Sequence, residues 1–440
     1  MNIEKIYELF LRYPNITADS RKVPSNSIFW ALRGDNFNGN KFAEQALVSG
    51  AEYAIIDDKD YFISGKTILV EDSLKALQEL ANYHRKQLNI PIFALTGTNG
   101  KTTTKELIKV VLSTKYKVAA TEGNLNNHIG VPLTLLSFDK NTEKGIIEMG
   151  ANHIGEIKLL CEIAEPDFGL ITNIGKAHLE GFGSFEGVIK AKSELYDNIV
   201  KNEGVIFCNS DNNILKKLDK GNKIIFYGTK PGNYVEGKLL SSLPCLKVEI
   251  KISDSVKIQI NTNLTGKYNF ENILAAACVG VFFDVSADDI KKAVENYYPE
   301  NNRSQLIKKK HNTVILDAYN ANPPSMRVSI ESFSELENEN KIIILGDMYE
   351  LGKYSQAEHK KILDFIKEKV TKDKSIKEVL ICGKYFGESY MSDYKDCNIL
   401  YFFDTENLKE YLKSKTYENF IFLIKGSRAM KMENVADYIN

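Results

Sequence analysis

Short apolar runs alternate along this chain with longer stretches whose apolar positions recur every three or four residues. Ser27 to Leu32, Tyr53 to Ile56 and Thr67 to Val70 predict strands, and Lys41 to Ser49 and Ser73 to Gln87 predict helices between and after them. Together they make a small α/β unit over residues 1 to about 88. From about 89 to 305 the alternation continues. Strands are predicted at Ile90 to Leu95, Gly145 to Glu148, Phe168 to Thr172 and Gly204 to Cys208, with helices at Lys105 to Leu112, Gly155 to Cys161 and Phe185 to Val200. Such alternation builds a mostly parallel sheet covered by helices. Between Tyr234 and Ile260 the period drops to two, as in Val248 to Ile252, which predicts an antiparallel patch at the sheet edge. Phe270 to Phe283 predicts a strongly apolar helix. From about 306 to 440, strands are predicted at Thr313 to Leu316, Lys341 to Leu345, Glu378 to Cys382 and Phe420 to Ile424, each followed by a helix. This third unit is Rossmann-like, and its ligands belong at the carboxyl ends of the strands. The fold class is therefore α/β in three domains.

The turn after Ile90 to Leu95 carries the sharpest chemistry. It reads Thr96-Gly97-Thr98-Asn99-Gly100-Lys101-Thr102-Thr103. A glycine-bearing turn between strand and helix aims main-chain N–H groups and the helix's positive end at one point. That is a phosphate cradle, with Lys101 placed for the outer phosphates and Thr102 for Mg²⁺. The full phosphate-loop pattern wants a glycine where this chain has Leu95, so only the inner Gly-x-x-Gly-Lys-Thr is present. The strand before it and the helix after it argue for ATP or a relative.

Composition adds bounds. The 440 residues suffice for several cores, and a net charge of −1 gives no general attraction to nucleic acid or anionic membrane. Lys308 to Lys310 reads as a solvated basic turn. Cys161, Cys208, Cys245, Cys278, Cys382 and Cys397 form no Cys-x-x-Cys pair and mostly sit in apolar runs. They read as buried thiols of a reducing compartment rather than as a disulfide frame or zinc site. No run approaches membrane-spanning length and no signal-type segment opens the chain, which points to a cytoplasmic enzyme without membrane insertion.

Other polar groups fall at predicted strand ends. Glu148 closes one strand, and His178 and Glu180 lie just past the next. Glu148 and His178 beside Thr102 would suit Mg²⁺ against a γ-phosphate, although each alone also reads as an ordinary loop or cap residue. Lys192 shares a helical face with Val188 and Leu195, where a lysine either snorkels to solvent or is chemically special. Thr121 to Pro132 and Asp317 to Met326 are rich in asparagine, glycine and proline, reading as turns or as amide donors toward an anion. Asp317, at a strand end, suits a ribose hydroxyl. Lys425-Gly426-Ser427-Arg428 suits a carboxylate or phosphate, or simply a helix start.

Taken together, Gly97 to Thr103, Gly123-Asn124, Glu148-Met149-Gly150, His178 and Ala191-Lys192 resemble, in order and context, the Mur ligases, the ATP-dependent amide-forming enzymes of peptidoglycan precursor synthesis. The resemblance spans nearly the whole chain. Asp317 to Pro323, Leu345 to Gly352 and Lys425 to Arg428 resemble the member that joins D-alanyl-D-alanine to UDP-N-acetylmuramoyl-tripeptide. The resemblance implies nucleotide contacts by Gly97, Thr98, Asn99, Gly100, Lys101, Thr102 and Thr103, by Asn269 and Asn272 near adenine, by Arg303, and by Asp317 at the ribose. It implies two Mg²⁺, held by Thr102, Glu148, His178 and a carbamylated Lys192, with Lys101, Asn124, His178 and Lys192 serving catalysis. It implies that Ser20 and Arg21 bind the uridine nucleotide. Position after third-unit strands and cationic or amide chemistry point to Arg428 or Lys425 for the dipeptide's carboxylate, with Asn320 or Asn322 fixing its backbone. The family usually has His where this chain has Tyr268, whose ring can still stack on adenine. A monomer acting on small molecules is expected. A sister Mur ligase, a folylpolyglutamate synthase-like ligase, and a nucleotide-binding regulator without turnover stand as the alternative readings.

Overall fold

The computed structural model describes every residue except 1, 35, 177, 219, 220, 222, 243, 301, 391–393, 395 and 396, and for 179 only the backbone. Three large sheets organise the described residues, beside a two-stranded ribbon of Arg33–Gly34 and Phe37–Asn38. The first is parallel, in the order Asn15–Thr17, Ser27–Trp30, Ala51–Ile56, Thr67–Leu69. Trp30, fully buried in it, donates its indole N–H to the Ser73 carbonyl at 2.6 Å. The amphipathic helix Ile3–Arg12, whose Ile6 and Phe10 are buried, and the strand Asn15–Thr17 were not predicted.

The second sheet has nine strands. Its parallel part runs Ile224–Gly228, Val205–Asn209, Phe168–Ile171, Ile92–Thr96, Lys144–Glu148, Val118–Ala120. Val235–Ser241 continues it in parallel, and Lys247–Lys251 and Lys257–Asn261 add the expected antiparallel patch at the edge. Ile92–Thr96 lies between Phe168–Ile171 and Lys144–Glu148, where the strand order reverses, and such a switch point opens a crevice beyond the strand ends. The apolar helix Asn269–Phe282 packs on Lys101–Leu112. A Cβ on Gly280 would fall 2.5 Å from Val111 Cγ1, so a glycine there permits the close approach. The helix after the phosphate turn starts at Lys101, not at Lys105, so the lysine is itself the first helical residue.

The third sheet has six strands rather than four: Gln305–Lys308, Thr313–Asp317, Ile421–Lys425, Lys341–Gly346, Ile376–Cys382, Ile399–Phe402. Gln305–Lys308 pairs antiparallel and the rest are parallel. The boundary expected after residue 305 thus falls inside that edge strand, and Lys308 ends a strand instead of sitting in a turn. No disulfide joins the cysteines among the described residues, and Cys161, Cys208, Cys278 and Cys382 are buried. Among the described residues no helix is long and apolar enough to cross a membrane.

The first and second units share one apolar core. Helix Ser73–Leu88, N-capped by Asp72, docks between them. Its His84 is buried, with Nε2 2.8 Å from the Phe138 carbonyl and Nδ1 3.3 Å from the Tyr7 hydroxyl. An Nε2–H donor with Nδ1 accepting from Tyr7 satisfies both atoms in the neutral ring. Burial accordingly holds the His84 pKa below the ordinary imidazole value. The unfolded chain then binds the extra proton first, so this group's stability contribution is complete above about pH 6.5 and is lost as pH falls through the folded-state value. We expect the thermal midpoint to fall between about pH 7.5 and 5.5 and His84→Gln, which cannot titrate, to shrink that fall. An equal fall in both proteins would assign the acid sensitivity elsewhere.

Candidate active site

The phosphate turn is fixed by its neighbours. Gly97 and Gly100 have φ of +148° and +77°. A Cβ on Gly97 would land on Thr172 Oγ1, and one on Gly100 would come within 2.7 Å of Asn272 Oδ1. Thr172 Oγ1 donates to the Asn99 carbonyl at 2.6 Å, the Asn99 N–H donates to Asn173 Oδ1 at 3.0 Å, and the Gly175 N–H donates to Thr98 Oγ1 at 2.9 Å. The end of the strand Phe168–Ile171 therefore props the turn open. Lys101 folds back over it, with Nζ donating to the Gly97 carbonyl at 2.7 Å. Burial, with the Arg303 charge, pulls the Lys101 pKa down while Glu148 opposes.

Below the turn, Thr102 donates its hydroxyl to Glu148 Oε2 at 2.7 Å, and Asn126 Nδ2 donates to Oε1 at 2.9 Å. Glu148 is 1% exposed. A hydroxyl and a carboxylate are hard oxygen donors of the kind Mg²⁺ prefers. Among the described residues no three His, Cys, Asp or Glu side chains form a ready metal cage, so phosphate and water oxygens would complete any such shell. Lys192 is 2% exposed, in line with its placement beside Val188 and Leu195, and it does not snorkel. Its Nζ sits 5.6 Å from the Phe182 ring centroid and makes no hydrogen bond or ion pair among the described residues. Burial, then the Lys101 charge, bring its pKa down to about 7 against the pull of Glu156, Glu194 and Glu148.

These groups line one cleft of about 880 Å³ between the second and third sheets. The third sheet faces them with Asp317, Asn320, Asn322 and Lys425. Asn322 Nδ2 donates to Asn99 Oδ1 at 2.8 Å, joining the helix cap of Pro323–Ser334 to the phosphate turn. Asp317 accepts from Lys425 Nζ at 2.6 Å, Ser329 Oγ at 2.8 Å and the Ser304 N–H at 3.3 Å. Lys425 is thus held by Asp317 instead of projecting toward an anion. Arg303 stacks on Tyr319, with Cζ 3.6 Å from the ring centroid, and its buried Nε has no hydrogen-bond partner among the described residues. Asn269 and Asn272 are buried and linked, with Asn272 Nδ2 donating to Asn269 Oδ1 at 2.9 Å and Thr104 donating to Asn272 Oδ1 at 3.0 Å. Tyr268 hydrogen-bonds Ser304 Oγ at 2.5 Å. His178 also lines the cleft, with Nδ1 2.7 Å from Glu350 Oε2, and that contact lowers the Glu350 pKa.

The structure thus brings Gly97 to Thr103, Asn124, Glu148, His178, Lys192, Asn269, Asn272, Arg303, Asp317, Asn320, Asn322 and Lys425 onto one cavity. Three residues lie off it. Ser20 and Arg21 sit in the first unit, where Arg21 is 86% exposed and paired with Asp19 at 2.8 Å. Arg428, 61% exposed, pairs with Glu433 at 3.1 Å, its Cζ 5.7 Å from the Tyr319 centroid. The sequence reading missed Asn126, Asn173, Ser304, Ser329, Tyr319 and Glu350. Asn126, Tyr319 and Glu350 fall within segments already singled out and Asn173 lies just past a predicted strand, but nothing local distinguishes them from their neighbours.

A phosphate turn at the switch point, faced by a second α/β unit across the cleft, defines a nucleotide-binding α/β enzyme architecture. Family profiles agree along the chain: "Mur ligase family, catalytic domain" matches residues 12–85, "Mur ligase middle domain" 95–280, and "Mur ligase, glutamate ligase domain" 302–428. The chain belongs to the Mur ligase family. It is 35% identical to the UDP-N-acetylmuramoyl-tripeptide–D-alanyl-D-alanine ligase of Bacillus subtilis, over 96% of this chain and 92% of that one. The MurF structure from Acinetobacter baumannii superposes with a TM-score of 0.84 at 29% identity, covering 96% and 93%. MurF from Thermotoga maritima, solved in complex with ADP, gives 0.85 at 26%, covering 97% of each.

Gly97→Ala drives a methyl into Thr172 Oγ1, the group that holds Asn99. We expect it to weaken ADP binding roughly tenfold or more by calorimetry, since tenfold is only about 1.4 kcal/mol. Unchanged affinity would show that the turn does not grip phosphate.

Proposed function

We propose that this protein joins the amine of D-alanyl-D-alanine to the terminal carboxylate of UDP-N-acetylmuramoyl-tripeptide, with ATP converted to ADP and phosphate. The observation that carries this is the shared cleft, in which the phosphate turn and the Thr102–Glu148 pair face Asp317, Asn320 and Asn322 of the third unit. The relatives' names support the choice of substrates.

A carboxylate is a poor electrophile. Its oxygen attacks the γ-phosphorus, the bond to ADP breaks, and an acyl phosphate results. Positioning and charge neutralisation dominate that step. Lys101, released from its own turn, and the main-chain N–H groups of Gly97 to Thr103 hold the phosphates. Mg²⁺, two ions in this reading, would supply further charge neutralisation, one held by Thr102 and Glu148 and one by His178 and Lys192. The Lys192 amine, its pKa brought down to about 7 and its side chain walled from bulk water, offers a sizeable neutral fraction near pH 7 for reaction with CO₂ to a carbamate, which changes a buried amine into an anionic oxygen ligand. Arg303 and Asn124 border the transferred phosphoryl group, Asn269 and Asn272 lie toward adenine, and Asp317 toward ribose. The dipeptide amine then attacks the acyl carbon, loses a proton, and expels phosphate. Seating the third unit over the turn keeps water from the acyl phosphate.

Residues 1–88 carry the uridine end through Ser20 and Arg21, the central unit to about residue 304 carries ATP, and the remainder carries the dipeptide. Since Asp317 occupies Lys425, Arg428 is the freer cation for the dipeptide carboxylate, with Asn320 and Asn322 along its backbone.

Phosphate release should require ATP, Mg²⁺, UDP-linked tripeptide and D-alanyl-D-alanine together, and Lys101→Ala should reduce it roughly a hundredfold or more. Release without either peptide would contradict the ligase reading. Arg428→Ala should raise the KM for the dipeptide roughly tenfold while leaving that for ATP within about twofold. An unchanged dipeptide KM removes Arg428 from that role.

A further inference from the structure

The approach of two loops at the edge of the cleft is not explained by the sheets. His178 follows the strand Phe168–Ile171 of the second sheet, and Glu350 follows Lys341–Gly346 of the third. Glu350 Oε2 nevertheless lies 2.7 Å from His178 Nδ1. Both residues hold left-handed backbone, with φ of +49° for His178 and +64° for Glu350, a conformation that non-glycine residues adopt at a cost. Gly352 is left-handed too, and a Cβ there would sit 3.3 Å from Glu180 Cβ, so the loops are in close register.

The Glu350 side of this contact is rigidly built. Asp347 accepts the N–H groups of Tyr385 and Phe386 at 3.0 and 2.9 Å. The Met348 N–H donates to His359 Nε2 at 3.0 Å, and the Tyr349 N–H to Ser427 Oγ at 2.9 Å. Three successive residues are therefore anchored immediately before Glu350. The pair itself is half-exposed, at 28% and 56% of the side chains, so as a surface ion pair it adds little stability. What it does set is the imidazole. A carboxylate accepting from Nδ1–H leaves the lone pair on Nε2, the arrangement found where a histidine must offer Nε2 to a ligand. Nε2 has no hydrogen-bond partner among the described residues, and the ring lines the cleft.

We propose that Glu350 is a positioning residue that fixes His178 in the Nδ1–H form with Nε2 turned to the cleft. Because the carboxylate belongs to the third unit, this orientation is set only while that unit is seated on the central one. The proposal deepens the ligase reading, since it is the Mg²⁺ assigned to His178 that would use Nε2.

The test uses the full chain labelled with ¹⁵N-histidine, whose six histidines allow long-range ¹H–¹⁵N spectra to be assigned with His178→Gln. His178 should show the Nδ1–H tautomer in the wild type at about pH 8. Glu350→Ala should give a tautomer mixture, and Glu350→Gln, which keeps an acceptor oxygen, should restore Nδ1–H. In the same proteins Glu350→Ala should raise the Mg²⁺ concentration for half-maximal phosphate release roughly tenfold, with Glu350→Gln closer to wild type. An Nδ1–H signature that survives Glu350→Ala, or an Nε2–H wild type, overturns the proposal even if ligation is normal. A wild type without ligase turnover but with the Glu350-dependent tautomer overturns the ligase reading and leaves the positioning role standing.

Discussion

Gly97 and Gly100 hold backbone conformations that leave no room for a side chain, and the rest of the cleft hangs from the turn they shape. The turn is not free-standing. Thr172 and Asn173 hold Asn99 from one neighbouring strand end, and Glu148 takes the Thr102 hydroxyl from the other. Ile92–Thr96 lies between those two strands, where the sheet's order reverses. Topology and hydrogen bonding thus specify the same point in space, which is the consistency expected of a preorganised anion site.

The third unit completes what the turn begins. Asn322 reaches Asn99, Glu350 reaches His178, and Tyr319, stacked under Arg303, faces the same cavity. They are polar contacts at a seam, able to part and reform at modest cost. That suits chemistry in which two substrates must enter and a water-labile acyl phosphate must then be covered. Lys192 is the opposite case, since a buried amine with no ion-pair partner among the described residues is costly and persists where its altered basicity is useful.

Much of this is legible in the amino-acid sequence. The phosphate turn announced itself because its glycines, lysine and threonine are contiguous and flanked by a strand and a helix. The antiparallel patch showed because Val248 to Ile252 alternates strictly, and the Lys192 face showed because helical spacing pairs it with Val188 and Leu195. The helix start was misplaced by the threonines at 102, 103 and 104, which are weak helix formers held helical by the turn and by Glu148 and Asn272. Gln305–Lys308 and Ile399–Phe402 are short edge strands set by their neighbours. Ser20 and Arg21 come from resemblance alone and Arg428 from its place after a strand, and all three lie away from the cavity. The pairing of Lys425 with Asp317 spans 108 residues, and that of Glu350 with His178 joins two sheets. Such contacts are properties of the assembled fold, invisible to any local pattern.

The central claim is that a tripeptide carboxylate takes phosphoryl from ATP at this turn before the amide forms. Ligation run with the terminal carboxylate labelled with ¹⁸O tests it directly. The account predicts that the phosphate released carries one ¹⁸O atom for each amide made. Amide formed with unlabelled phosphate would contradict it.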